Sequence, residues 1–356
     1  MQDTSAVARR VDVAVIGGGQ AGLALGYYLR RAGLSFVILD QQSHPGGAWQ
    51  HTWPSLRLFS PAQYSSLPGR LMPPSAVENP DAGHVIDYLS DYEDRYNLPV
   101  ERPVEVAHVV SGQTGFTVVT DSGDWGAPVV VNATGTWSQP FWPSVPGQAA
   151  FRGTQSHSAD YRGPGQFVNK SVLVIGGANS GAQIAADLVD SAEVTWCLRG
   201  EPRYLPDDVD GRELFRVATR QVQARAAGEP DPGGVASLGD IVAVPPVKEA
   251  RDAGLLIASP MFERFTAEGV TWPDGSARRI DSAIWCTGFR PALRHLRGLD
   301  IREQDGTISL SGTESTRYPG MYFVGYGDWT GPGSATLIGV GATAKATVDS
   351  IGHHLH

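Results

Sequence analysis

Gly17, Gly19 and Gly22 stand in the spacing GxGxxG, directly after the apolar run VDVAVI (11–16). LALGYYLRRAG, which reads as a helix ended by Gly33, follows them. A strand, a glycine turn and a helix in that order form a phosphate cradle. The first glycine permits the tight turn, the second lets backbone approach a pyrophosphate, and the third lets helix pack on strand. The helix N-terminus then offers free N–H groups and a positive dipole end to the anion. Asp40 closes the next strand, SFVILD (35–40), where a carboxylate can accept from both ribose hydroxyls and would repel a 2′-phosphate. That favours FAD or NAD. The same order returns at SVLVIG (171–176) and AQIAADLVD, with Gly176, Ala178 and Gly181 in the variant GxAxxG. The strand that follows, EVTWCLR (193–199), ends in Arg199, which reads as the counterpart of Asp40. A guanidinium there can clamp a 2′-phosphate through two bonds, which favours NADPH over NADH; Arg203 stands close enough in sequence to assist.

Other elements must position these turns. HVIDYLSDYEDRYNL (84–98) has the period of an amphipathic helix, with Val85, Tyr88, Leu89 and Tyr92 on its core face. VEVAHVV (104–110), FTVVT (116–120) and VVVNATG (129–135) alternate as strands and read as a meander returning to the main sheet. GRELFRVATRQVQARAAG (211–228) reads as a helix and 228–240 as a loop. Residues 265–289 read as a hairpin turning at 273–275, then a strand into Cys286-Thr287-Gly288. A final helix is expected from near Ser334.

Composition sets the outer limits. The 356 residues are enough for two domains with proper cores, and 41% hydrophobic with 18% charged content describes a globular chain. A net charge of −9 without a Lys/Arg block argues against nucleic acid. The start MQDTSAVARR has no apolar stretch, and no run reaches the length of a membrane span, so the expected compartment is the cytoplasm. Cys197 and Cys286 have neither CxxC nor metal spacing, so neither a redox dithiol nor a metal is expected.

Between the two turns lies FRGTQSHSADYRGP (151–164), in which Phe151, Gly153, His157 and Tyr161 follow the pattern FxGxxxHxxxY. With Gly46, Gly47 and Trp49 as GGxW, Ala133-Thr134-Gly135 as a strand-end ATG, Asn179 and Ser180 matching the GNSG form, and Gly327-Asp328 ahead of the last helix, the chain resembles class B flavin-containing monooxygenases. Shorter segments, such as 205–212 and 324–341, are similar to monooxygenases encoded beside arsenic-resistance genes.

The resemblance implies an α/β fold of two Rossmann-like dinucleotide-binding domains, the NADPH domain inserted in the FAD domain. Residues 1–150 and 289–356 would form the FAD-binding domain and 151–288 the NADPH-binding domain with its linkers. Gly17, Gly19, Gly22, Asp40, Gly47, Trp49, Val106, Ala133, Gly135, Gly327 and Asp328 would hold FAD, with Val106 at the adenine and Asp328 on the ribityl chain. Gly176, Ala178, Asn179, Ser180, Gly181 and Arg199 would hold NADPH. Phe151, Gly153, His157 and Tyr161 would link the domains. The cofactor carries the chemistry, so no side chain is assigned as catalytic.

The implied reaction inserts one oxygen atom of O₂ into a small soft nucleophile (N, S or As(III)), or a carbonyl, through a C4a-hydroperoxyflavin. One departure stands out: animal-type relatives carry an Asn in the loop after GGxW, about where this chain has Phe59. Its loss keeps two other readings open, an NAD(P)H oxidase or electron-transfer reductase and a redox sensor. The partners implied are a small molecule and O₂, and the chain could form a homodimer.

Overall fold

The computed structural model describes residues 9–207, 241–331 and 333–356, with scattered positions between 213 and 229. The expected helix at 211–228 and loop at 228–240 lie mostly outside the described residues.

The apolar run after residue 11 forms the strand Val13–Ile16 inside a seven-stranded sheet. Phe36–Leu39 and Val129–Asn132 flank it, both parallel to it, and Val100–Glu101 and Met321–Phe323 extend the parallel set on either side. Alternate side chains feed two cores, as a strand buried on both faces requires. Val13, Val15, Ile38, Val129 and Val131 pack under the helices Gln20–Arg31, Ala82–Arg95 and Leu337–Leu355. Ala14, Ile16, Val37, Leu39 and Val130 face a small, mostly antiparallel sheet carrying Val109, Phe116, Val118 and Trp125.

The second unit repeats this plan. Ser171–Ile175 lies in a five-stranded, all-parallel sheet between Glu193–Leu198 and Ser282–Trp285, with Ala258–Pro260 and Thr154–His157 at its edges. Helix Asn179–Leu188 covers one face through Ala182, Ile184, Ala185 and Leu188. A three-stranded antiparallel sheet covers the other through Phe265 and Val270. The architecture is α/β with two Rossmann-like units, the second inserted in the chain of the first.

The two crossings between the units pair with each other. Phe141 N donates to Gly288 O at 2.9 Å, Arg290 N to Gln139 O at 2.8 Å, and Ala292 N to Gly135 O at 2.9 Å.

Several boundaries differ from the sequence reading. The amphipathic helix starts at Ala82, because the Asp81 side chain caps it by accepting from His84 N at 3.0 Å. The last helix starts at Leu337, where Thr336 Oγ1 accepts from Gly339 N at 3.0 Å. The meander's third strand is Trp125–Ala127, and Val129–Asn132 belongs to the main sheet instead. Only Pro128 separates the two, so the alternating run hides the change of sheet.

Candidate functional site

The turn at 17–19 opens on a cavity of about 810 Å³. Gly17 has φ +112°, and a Cβ there would lie 2.4 Å from Ala133 O, so the turn closes against the strand-end Ala133. A Cβ on Gly22 would lie 1.9 Å from Gly17 O, which is how closely the helix sits on the turn. At Gly19 the only atom within reach of a Cβ is Gly47 Cα, at 3.8 Å; the rest is open space. Trp49 Nε1 donates to Gln20 Oε1 at 3.1 Å, and Gln20 Nε2 to Ala335 O at 2.7 Å. The glycine turn, the GGxW loop and the approach to the last helix are thereby tied together.

Of the residues expected at a flavin, Gly17, Gly19, Asp40, Gly47, Trp49, Val106, Ala133 and Gly135 line this cavity. Gly22 lies behind it, in packing. Gly327 and Asp328 are not in its wall: they form a 3₁₀ turn with Asp328 exposed. The strand instead meets the cavity two residues earlier, at Gly325. Tyr326 then turns into the core, its hydroxyl 2.7 Å from Thr134 Oγ1, which carries Asp328 out to solvent. Phe59 is also absent from the wall; it packs against the apolar core of the second unit.

Asp40 is 4% exposed. Arg102 Nε donates to Asp40 Oδ2 at 3.2 Å, and the same guanidinium grips both Glu93 oxygens at 2.5 and 2.8 Å. Burial pushes the Asp40 carboxyl above its usual range, opposed by the Gln42 backbone N–H and by Arg102. The result is a fixed acceptor at the cavity wall.

His295 also lines the cavity and went unnoticed in the sequence. Asn132 Nδ2 donates to Tyr322 O at 3.0 Å, which leaves Asn132 Oδ1 to accept from His295 Nε2 at 2.7 Å. Burial pushes this imidazole down to about 4 from its ordinary 6.5. Between those values the unfolded chain binds a proton that the folded chain refuses. Stability therefore falls as pH drops through that window, by roughly 3 kcal/mol in all, and is unaffected above it. His295→Gln keeps a donor for Asn132 and is expected to flatten this loss; Tm measured at about pH 5 and pH 7.5 checks it, since equal pH dependence in variant and parent would refute it.

Four rings unassigned or only partly assigned by sequence complete the wall. His51 stacks on Trp137 at 6.1 Å and Trp137 on Phe289 at 5.1 Å, with Trp49 in the same cavity. The charged lining, Asp40, Glu105, Arg294 and Arg297, lies on other segments.

The second glycine turn repeats the first in its contacts. A Cβ on Gly176 would lie 2.2 Å from Cys286 O, and one on Gly181 would lie 2.1 Å from Gly176 O. Ala178 caps the helix and Ser180 sits in its first turn. Asn179 Oδ1 accepts from Val242 N at 2.8 Å, so this amide also fastens the segment behind it. Ile175 pairs with Cys197 as Ile16 pairs with Leu39, which makes Leu198 the register counterpart of Asp40. Arg199 stands one residue further on, exposed.

The linking motif is structural in its contacts. Phe151 packs on Phe265 at 5.1 Å, and Gly153 passes where a Cβ would lie 2.3 Å from the Phe151 ring. His157 is buried; its Nδ1 accepts from Ala159 N at 3.1 Å, its ring meets Phe289 edge-on at 5.0 Å, and burial lowers its pKa. Tyr161 OH donates to Asp187 Oδ2 at 2.7 Å. None of the four lines the cavity. Among the described residues no helix is long and apolar enough to cross a membrane, and no group of His, Cys, Asp and Glu has metal-binding geometry.

Comparison with known proteins agrees with this geometry. The family model described as pyridine nucleotide-disulphide oxidoreductase matches residues 14–212. The structure of a flavin-containing monooxygenase from Stenotrophomonas maltophilia is 46% identical, covers 98% of this chain and 100% of its own, and superposes with a TM-score of 0.89. An oxidoreductase named CzcO-like from Geobacillus kaustophilus is 30% identical over 97% of this chain and 99% of its own. The indole-3-pyruvate monooxygenase YUCCA4 of Oryza sativa is 24% identical over 96% of this chain and 87% of its own. The chain thus belongs to the pyridine nucleotide-disulphide oxidoreductase family, among its flavin-dependent monooxygenases.

Proposed function

We propose that the protein is an NADPH- and O₂-dependent monooxygenase that holds FAD in the cavity at 17–19 and NADPH on the turn at 176–181. It adds one oxygen atom to a small soft nucleophile, of nitrogen, sulfur or As(III). The observation that carries this is the duplicated turn: the first opens on a cavity with a buried carboxylate, and the second is followed by an exposed guanidinium. On this reading residues 1–150 and 289–356 serve FAD and 151–288 serve NADPH.

The chain's own residues bind and orient. N–H groups of the first turn and of helix Gln20–Arg31 face the pyrophosphate, and open space beside Gly19 lets it approach. Asp40 accepts ribose hydroxyls, held by Arg102. Val106, Ala133, Gly135 and Trp49 supply the remaining cavity contacts to FAD. Gly176, Ala178, Ser180 and Gly181 bring backbone to the second pyrophosphate, with Asn179 bracing the turn, and Arg199 takes the 2′-phosphate. A bound flavin supplies the two-electron reduction and the oxygen transfer. His51, Trp137 and Phe289 form an aromatic wall that limits water at the bound flavin.

The balance is NADPH, H⁺, O₂ and substrate to NADP⁺, water and oxygenated substrate. With ¹⁸O₂ and a small organic thioether, one labelled atom per product and one NADPH per product are expected. Hydrogen peroxide equal to the NADPH consumed, without labelled product across nitrogen, sulfur and As(III) substrates, would give the oxidase or reductase reading instead. Bound flavin without turnover of NADPH would give the sensor.

A further inference from the structure

Residues 53–59 reach from the first unit, where Leu58 stays in the core, and dock on the second. Ser55 Oγ donates to Asp187 Oδ2 at 2.9 Å, and Arg57 N donates to Gln183 Oε1 at 3.3 Å. The Trp53 ring meets Tyr161 edge-on at 5.8 Å, and Trp53, Leu56 and Phe59 pack into the second unit's apolar core. Gln183 and Asp187 are four residues apart on helix Asn179–Leu188, so both acceptors face the loop from successive turns. Tyr161 OH reaches the same Asp187 oxygen as Ser55, which fixes the carboxylate in the orientation that receives the loop.

The two ends of this contact matter. The helix begins at the second glycine turn. The loop begins just past Trp49 and His51, which stand in the cavity wall. A short, doubly bonded segment therefore spans from the nucleotide helix to the flavin cavity.

We propose that Ser55, Gln183 and Asp187 act as a spacer that sets the distance and angle between the nucleotide-binding helix and the cavity, and so are positioning residues for hydride transfer. The proposal rests on the assignment of NADPH and FAD to the two turns. Hydride transfer needs donor and acceptor about 3–3.5 Å apart, and a displacement of about 1 Å can cost on the order of 100-fold in rate. None of the three residues has to touch either cofactor.

The test is anaerobic stopped-flow reduction of the flavin-loaded enzyme over a range of NADPH concentrations. For Ser55→Ala the limiting reduction rate is expected to fall about tenfold, while half-saturation by NADPH stays within about twofold. Flavin content and reduction by dithionite should match the parent, since neither depends on the spacing of the units. Ser55→Thr restores the hydroxyl and should restore the rate. Asp187→Ala removes the acceptor of both Ser55 and Tyr161 and should slow reduction at least as much, and Ser55→Ala with Asp187→Ala should lose no more than Asp187→Ala alone, because the serine acts through that carboxylate. A parent that NADPH reduces and a Ser55→Ala variant that it reduces equally fast would overturn the spacer alone. Multiplicative losses in the double variant would also overturn it. A parent that NADPH leaves oxidised overturns the nucleotide assignment and the spacer with it.

Discussion

A Gly17→Val chain is expected to purify colourless. At φ +112° an L-residue is strained by about 1–3 kcal/mol before any contact is counted. The added Cβ would also lie 2.4 Å from Ala133 O and 2.7 Å from its carbonyl carbon, both backbone atoms that cannot swing away. Valine's two methyl groups enlarge the conflict. Relief requires the turn to lift off the strand end, which breaks the bond from Gly17 N to Leu39 O at 2.8 Å and moves the N–H groups that face the cavity. The ratio of flavin to protein absorbance in the purified protein measures the effect. Gly165→Ala is the control: a Cβ there meets nothing within 4 Å, so full flavin content is expected. A Gly17→Val protein with a full complement of flavin would move the cofactor site away from this turn.

Arg199→Ala should separate the two coenzymes. A charge-assisted bond contributes about 1.5–3 kcal/mol, and each 1.4 kcal/mol is tenfold, so KM for NADPH should rise about 10- to 100-fold. NADH lacks the 2′-phosphate, and its KM should change by no more than about twofold. Steady-state rates with both coenzymes check this, and equal rises would refute the 2′-phosphate contact. The register adds a geometric reason for the residue's reach. Leu198 occupies the place of Asp40 and is buried, so the cation has to come from the next, exposed position.

What the sequence made legible was local. Strand, glycine turn and helix are contiguous, so both turns and the strands and helices that flank them could be read from spacing and apolar runs. The grip of Arg102 on Asp40 and Glu93 could not, because it depends on how helix Ala82–Arg95 settles beside the sheet edge. His295 was invisible for the same reason: its partner, Asn132, is 163 residues away. Asp328 was legible only as part of a short motif, and its setting depends on a distant contact: the Tyr326 hydroxyl meets Thr134, and the turn that follows lies at the surface. The FxGxxxHxxxY run was recognisable as a pattern, yet Phe151 and Tyr161 are core residues of the second unit, which spacing alone does not reveal.

The paired crossings between the two units have a consequence for how the molecule can change. Because Phe141 N bonds Gly288 O and Arg290 N bonds Gln139 O, the chain enters and leaves the second unit at one place. The segment between is a cassette whose two ends already touch, so it can be lengthened, exchanged or excised without stretching the remainder. The same strap of two strands resists sliding and twisting, since movement of one strand must carry the other. What it leaves is a swing, like a door on a two-leaved hinge, and the docked segment 53–59 is the latch that holds that door at one angle.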